Sequence, residues 1–226
     1  MKKYAVLVAG GSGTRMKSSV PKQFMMLNGI PVICHTVAVF ISAFSDLHIV
    51  LVLPKIYLDE GRRLVESHFP GLNNISIVEG GETRFHSVKN GLSAVQKDSI
   101  VFVHDAVRCL LTENLIQRLY ESTLEKGNAV PMILSKDSVR MIDENANKAI
   151  DRNKLALIQT PQVFKGEMLI DAFNADYRDG FTDEASVVEA AGFSINLIPG
   201  EENNLKLTQP IDWVVAEKIL AQTKPQ

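Results

Sequence analysis

Four short apolar runs, Tyr4 to Ala9, His48 to Leu53, Ile75 to Glu79 and Ser99 to Val103, are separated by segments of helical spacing, and this alternation constrains the fold more than any other feature of the chain. Runs that alternate too little for a half-exposed strand read as strands buried on both faces, the habit of parallel sheets covered by helices. Helices are expected over Val32 to Phe44, about Tyr57 to Phe69 and Arg84 to Val95, with Pro54 ending the second strand. The expected fold class is α/β, a Rossmann-like mostly parallel sheet flanked by helices. With 226 residues and 46% apolar content the chain can bury one sizeable core, so residues 1–226 are expected to form a single domain.

The alternation fails from Met132 to Gln159. Ser138 to Ile142 and Lys148 to Asp151 flank the polar stretch Asp143-Glu144-Asn145-Ala146-Asn147 and read as a β-hairpin, part of an arm at about 133–158. A protruding hairpin needs something to cover it, so a homodimer is expected. Helices return near Gly166 to Phe173, Asp183 to Ala191 and Pro210 to Ala221.

Charge and cysteine usage narrow the function classes. A net charge of −2 and a pI near 6.2 give no general reason to expect nucleic acid as a partner. The apolar run after the first lysines is too short for a secretory signal, and no run reaches the length of a membrane span, so no membrane association is expected. Cys34 and Cys109 form no CxxC pair and fit free thiols in a reducing cytoplasm. His35, His48, His68, His86 and His104 lack metal-ligand spacing, and no serine sits in a G-x-S-x-G elbow.

Ligands of open α/β sheets bind at the carboxyl ends of the strands. The first strand runs into VAGGSGTRMKSSVPK, Val8 to Lys22. This is not a P-loop, because Gly13 is followed by Thr14 and Arg15, and not a dinucleotide fingerprint, because Met16 stands where a third glycine would be. Ala9, Gly10, Gly11 and Gly13 can bring backbone N–H groups close to an anion, with Arg15 and Lys22 adding charge for a polyphosphate. On glycine content alone, an ordinary βα turn with solvated basic residues stays open. The third strand runs into Gly80-Gly81-Glu82-Thr83-Arg84, and the fourth into His104-Asp105-Ala106-Val107-Arg108. Asp105 can hold Mg²⁺ beside phosphates, or can cap the helix that follows Thr112.

The Val8 to Lys22 segment resembles the N-terminal signature of nucleotidyltransferases that activate sugar or polyol phosphates. From Lys3 to about Leu220 the chain is most similar to the cytidylyltransferases that join CTP to 2-C-methyl-D-erythritol 4-phosphate with release of pyrophosphate, in the non-mevalonate isoprenoid pathway. The resemblance implies that Arg15 and Lys22 are the catalytic cations, and that Gly80, Gly81, Glu82 and Ser87 hold cytosine. Backbone carbonyls at the double glycine and the Ser87 hydroxyl supply both acceptors and donors for such a base. Read blandly, the same residues are a turn and a helix start, with Arg84 and His86 solvated. The resemblance further implies that Arg108, Ser138, Arg152, Thr160, Thr182 and Lys206 position the acceptor, with Arg152 of the Asp151-Arg152-Asn153 triplet acting in the partner subunit's site. Three departures stand out: Cys109 where the family usually has proline, Glu82 where many members have aspartate, and Ser138 where threonine is common. Ribitol or another polyol phosphate as acceptor, and a nucleotide-binding module without transfer, are the competing readings.

Overall fold

The computed structural model describes residues 1–10, 20–144 and 146–223. Gly11, Gly13 and Arg15 therefore lie outside the described residues. The chain begins with β1 (Lys2–Val8) and a short hairpin, β2 (Met26–Leu27) and β3 (Ile30–Pro31), followed by α1 (Val32–Ala43) and β4 (Leu47–Leu53). Then come α2 (Leu58–His68), β5 (Ile75–Glu79), α3 (Arg84–Leu92), β6 (Ser99–Asp105), α4 (Glu113–Lys126) and β7 (Asn128–Leu134). The arm hairpin is β8 (Val139–Asp143) and β9 (Ala146–Ile150). It is followed by β10 (Ala156–Ile158), β11 (Gln162–Lys165), α5 (Gly166–Ala172), α6 (Glu184–Ala190), β12 (Leu197–Pro199) and α7 (Pro210–Thr223).

The main sheet runs β10-β7-β11-β6-β1-β4-β5, with β12 beside β7. β6, β1, β4 and β5 are parallel, as their continuous apolar runs predict, whereas β11 pairs antiparallel with both β6 and β7. β11 and β12 are strands that the apolar pattern does not announce.

The strand period of two divides the core into two layers. On one face Ala5, Leu7, Ile49, Leu51, Ile100 and Phe102 pack under Ile33, Val37 and Phe40 of α1 and Leu115, Ile116 and Leu119 of α4. On the other, Tyr4, Val6, Val8, Val50, Val52, Val101 and Val103 pack under Phe85 and Val88 of α3, Leu169 of α5, and Val187 and Val188 of α6. Each fully buried side chain of this size contributes about 1.5–3 kcal/mol of transfer free energy. A smaller cluster seats α7, with Trp213 and Ala216 against Leu27, Val32, Cys109, Leu110 and Leu207.

Helix starts follow local chemistry. The Thr83 hydroxyl accepts from His86 N–H at the start of α3, and Thr112 accepts from Leu115 N–H at the start of α4. Asp105 is therefore not the cap of α4. Gly127, at φ 90°, ends that helix in the left-handed conformation. The arm stands away from both core layers: along it Ile142 is 83% exposed and Met141 51%. Among the described residues no helix is long and apolar enough to cross a membrane.

Candidate active site

Parallel register brings the informative strand ends to one level. Val8 is opposite both Val52 and Asp105, and Leu53 is opposite Glu79. Backbone bonds continue the ladder past the strands, from Ala9 N–H to Val52 O (2.9 Å), Gly80 N–H to Leu53 O (2.8 Å) and Ala106 N–H to Val8 O (3.0 Å). A cavity of about 210 Å³ opens above them, lined by Val8, Ala9, Gly10, Lys22, Gln23, Gly81, Glu82, Thr83, Arg84, Ser87, Asp105, Val107 and Lys206. The structure thus gathers Ala9, Gly10, Lys22, Gly81, Glu82, Ser87, Asp105 and Lys206 around one space.

One wall is the Gly80-Gly81 turn, where the backbone leaves no room for a side chain at Gly81. A β-carbon on Gly81 would lie 2.4 Å from His86 Cβ and 3.0 Å from its backbone carbon, and one on Gly80 would lie 3.1 Å from Ser87 Oγ. The Ser87 hydroxyl accepts from Gly81 N–H at 3.1 Å and donates to Thr83 O at 2.9 Å, so it shapes the turn. Lys22 opens a 3₁₀ turn (Lys22–Phe24) whose next residue, the buried Gln23, donates to Ala9 O at 2.9 Å. Lys22 Nζ itself donates to Leu207 O at 3.3 Å, tying this turn to the segment that carries Lys206.

Asp105 is the electrostatic centre. Arg84 Nε lies 3.1 Å from Oδ1, Lys206 Nζ 2.7 Å from Oδ2, and Arg108 Nε 3.9 Å from Oδ2. Burial opposes ionisation of Asp105, but the charges of Arg84, Lys206 and Arg108 outweigh it and hold the carboxyl well below the usual carboxylate range. Arg84 is not solvated: besides Asp105 it forks onto the fully buried Glu184, with Nη1 on Oε1 and Nη2 3.1 Å from Oε2. Burial raises the Glu184 carboxyl despite Arg84. Asp105 thus places an ionised carboxylate, the chemistry of a Mg²⁺ ligand, at the cavity wall. Among the described residues no cluster of three or more His, Cys, Asp or Glu forms a metal cage.

His104 and Thr160 sit behind Asp105, away from the cavity lining. His104 Nε2 is 3.1 Å from Arg108 O, which can only accept, so Nε2 carries the proton. Nδ1 then accepts from Thr160 Oγ1 at 2.9 Å, and Thr160 Oγ1 accepts from Asp105 N–H at 3.1 Å. This chain fixes the backbone that presents Asp105. Burial pushes His104 down from 6.5 to about 3, with Asp105 opposing the drop. A histidine lowered on folding stabilises fully above its unfolded value and loses that stabilisation as pH falls toward the folded one. Stability should therefore decline from pH 6.5 toward about 3, and His104→Gln should make that slope shallower by the histidine's share. Denaturant titrations of both proteins across this window check it, and identical slopes would exclude His104 as the source.

Arg108 turns toward the carboxyl-terminal segment, its Nη1 donating to Asn204 O at 2.9 Å. Cys109 packs in the α7 cluster, where burial pushes its thiol up to about 12. Ser138, Arg152 and Thr182 are exposed and do not line the cavity. Arg152, in the 3₁₀ turn at the base of the arm, donates to Lys136 O at 2.6 Å. Gln23 and Glu184 were not singled out by sequence reasoning. Gln23 directly follows Lys22 at the end of the glycine-rich segment, whereas nothing in the sequence pairs Glu184 with Arg84.

Cations beside a cavity at the carboxyl ends of parallel strands suit a phosphate-rich ligand, and the family match makes the protein an α/β nucleotidyltransferase. The chain is a member of the 2-C-methyl-D-erythritol 4-phosphate cytidylyltransferase family, whose sequence model matches residues 4–222. The family protein of Phocaeicola vulgatus is 40% identical over 97% of this chain and 100% of its own length. That of Bacteroides thetaiotaomicron is likewise 40% identical, over 97% of this chain and 100% of its own length. The solved Francisella tularensis 2-C-methyl-D-erythritol 4-phosphate cytidylyltransferase is 29% identical with a TM-score of 0.80, covering 97% of this chain and 100% of that one. The Thermus thermophilus structure of the same name has 27% identity and a TM-score of 0.74 over 99% and 100% of the two chains.

Proposed function

We propose that this chain transfers the cytidylyl group of CTP to 2-C-methyl-D-erythritol 4-phosphate, giving 4-diphosphocytidyl-2-C-methyl-D-erythritol and pyrophosphate, in isoprenoid precursor synthesis. The observation that carries the reading is Asp105, held ionised between Arg84 and Lys206 opposite the Gly80-Gly81 turn, in a member of this family. An oxygen of the acceptor phosphate attacks the α-phosphorus of CTP. The new P–O bond forms as the α–β bridge breaks, and pyrophosphate leaves with the electron pair. Two anions must meet, so catalysis consists mainly of charge neutralisation and alignment. Lys22 and Arg15 neutralise charge developing on the triphosphate, and Ala9, Gly10, Gly11 and Gly13 are the residues assigned to hold it. Lys206 exchanges Asp105 for the acceptor phosphate, with Arg108 adding positive charge beside it. Asp105 would hold Mg²⁺, which supplies charge neutralisation to the phosphates when bound.

The working unit in this reading is one nucleotidyltransferase domain, residues 1–226, dimerised through the arm at about 133–158 and acting in the cytoplasm. The bare apolar side chains of Met141 and Ile142 support a covered arm, and the position of Arg152 outside the cavity lining supports its use in the partner's site. A pyrophosphate-release assay crossing CTP, UTP, GTP and ATP with methylerythritol, ribitol and other polyol phosphates tests the assignment. CTP with methylerythritol phosphate should turn over fastest, because a mismatched base leaves buried polar groups unpaired at about 1–3 kcal/mol each. Faster reaction with ribitol phosphate at equal CTP would overturn the acceptor.

A further inference from the structure

Glu184 lies outside the cavity lining, yet it is a fully buried charge at the first residue of α6. Its place is over-determined. Asp183 and Ser186 form a reciprocal capping box, and Gln162 of β11 donates to Asp183 Oδ2 at 2.9 Å while accepting from Ala185 N–H at 2.8 Å. Glu184 then takes both terminal nitrogens of Arg84, which leaves only Nε to reach Asp105 Oδ1. A forked guanidinium held on two nitrogens has its plane fixed, and with it the direction of the third donor.

We infer that Glu184 is a positioning residue of the transfer reaction: by clamping Arg84 it fixes which oxygen of Asp105 faces Arg84 and which is left to Lys206. This rests on the function proposed above. The Gly80-Gly81 turn does not need the clamp, since Thr83 caps α3, Ser87 bonds Gly81 and Thr83, and Phe85 and Val88 are buried. Losing Glu184 should therefore appear in the chemical step and in the use of acceptor rather than in the use of CTP. A purely structural ion pair would appear in stability alone.

The test compares wild type, Glu184→Gln, Arg84→Lys and the double variant, measuring kcat, KM for each substrate, and Tm. Glu184→Gln keeps the volume and removes the charge; Arg84→Lys keeps the charge and removes the fork. Each single change should lower kcat on the order of 10²-fold, the cost of about 1 Å of misplacement, with the KM for CTP little changed. The double variant should fall no further than the worse single one, because both break the same clamp. Unchanged kcat with a lowered Tm, or losses that multiply, would overturn the inference while leaving the activity of the wild type, and so the function, intact. A wild type silent with every nucleotide and acceptor would overturn the function and this inference with it. If Glu184→Gln does not fold, Glu184→Asp takes its place with the same expectation, since the shortened chain cannot hold both nitrogens of Arg84.

Discussion

Lys22→Ala is expected to abolish pyrophosphate release from CTP while leaving the protein folded. A single well-placed donor to developing charge supplies about 10²–10³ in rate, and a full positive charge beside a triphosphate should supply at least that. The turn that carries Lys22 has other anchors. The turn is held by Gln23, 2% exposed and bonded to Ala9 O, and by Phe24, whose ring meets that of Tyr57 edge-on at 5.4 Å. Removing Nζ forfeits, among the described residues, the part-buried bond to Leu207 O, a bond of a kind that contributes about 0.5–1.5 kcal/mol. Single-turnover pyrophosphate release, with circular dichroism to confirm folding, separates the two effects. Turnover retained within tenfold of wild type would remove Lys22 from the mechanism.

Mixing two inactive proteins, Lys22→Ala and Arg152→Ala, is expected to restore activity. If Arg152 crosses to the neighbouring subunit, a mixed dimer contains one site with an intact Lys22 and an intact borrowed arginine, and one site lacking both. Random exchange between two-fold symmetric dimers should then recover roughly a quarter of wild-type turnover. The exposed position of Arg152, anchored through Lys136 O at the base of the arm, makes such a loan geometrically reasonable. Mixed dimers verified by tagged purification that stay inactive would assign Arg152 to its own subunit or to none.

The first half of the fold was legible because β1, β4 and β6 are buried on both faces, which forces unbroken apolar runs. β11 was not, because an antiparallel insert of four residues that begins with the buried Gln162 carries no run and no clear alternation. The double glycine is legible as a tight turn, and the close approach of His86 is the steric reason a side chain is excluded at Gly81. Residue type alone does not reveal that the Ser87 hydroxyl bonds Gly81 and Thr83 within the turn. Arg84 shows the limit of residue type as a guide. An arginine at a helix start reads as a surface charge until its two carboxylate partners, one of them 100 residues away, are seen.

The same spans set the terms on which the cavity can be assembled. Lys22 meets Leu207 across 185 residues, Arg84 meets Glu184 across 100, and Arg108 meets Asn204 across 96. Contacts of such sequence separation require long loops to close before any of them contributes. The helices and their caps can form from neighbours a few residues apart, but the charged centre is a property of the finished chain path: no contiguous fragment short of that path contains a site.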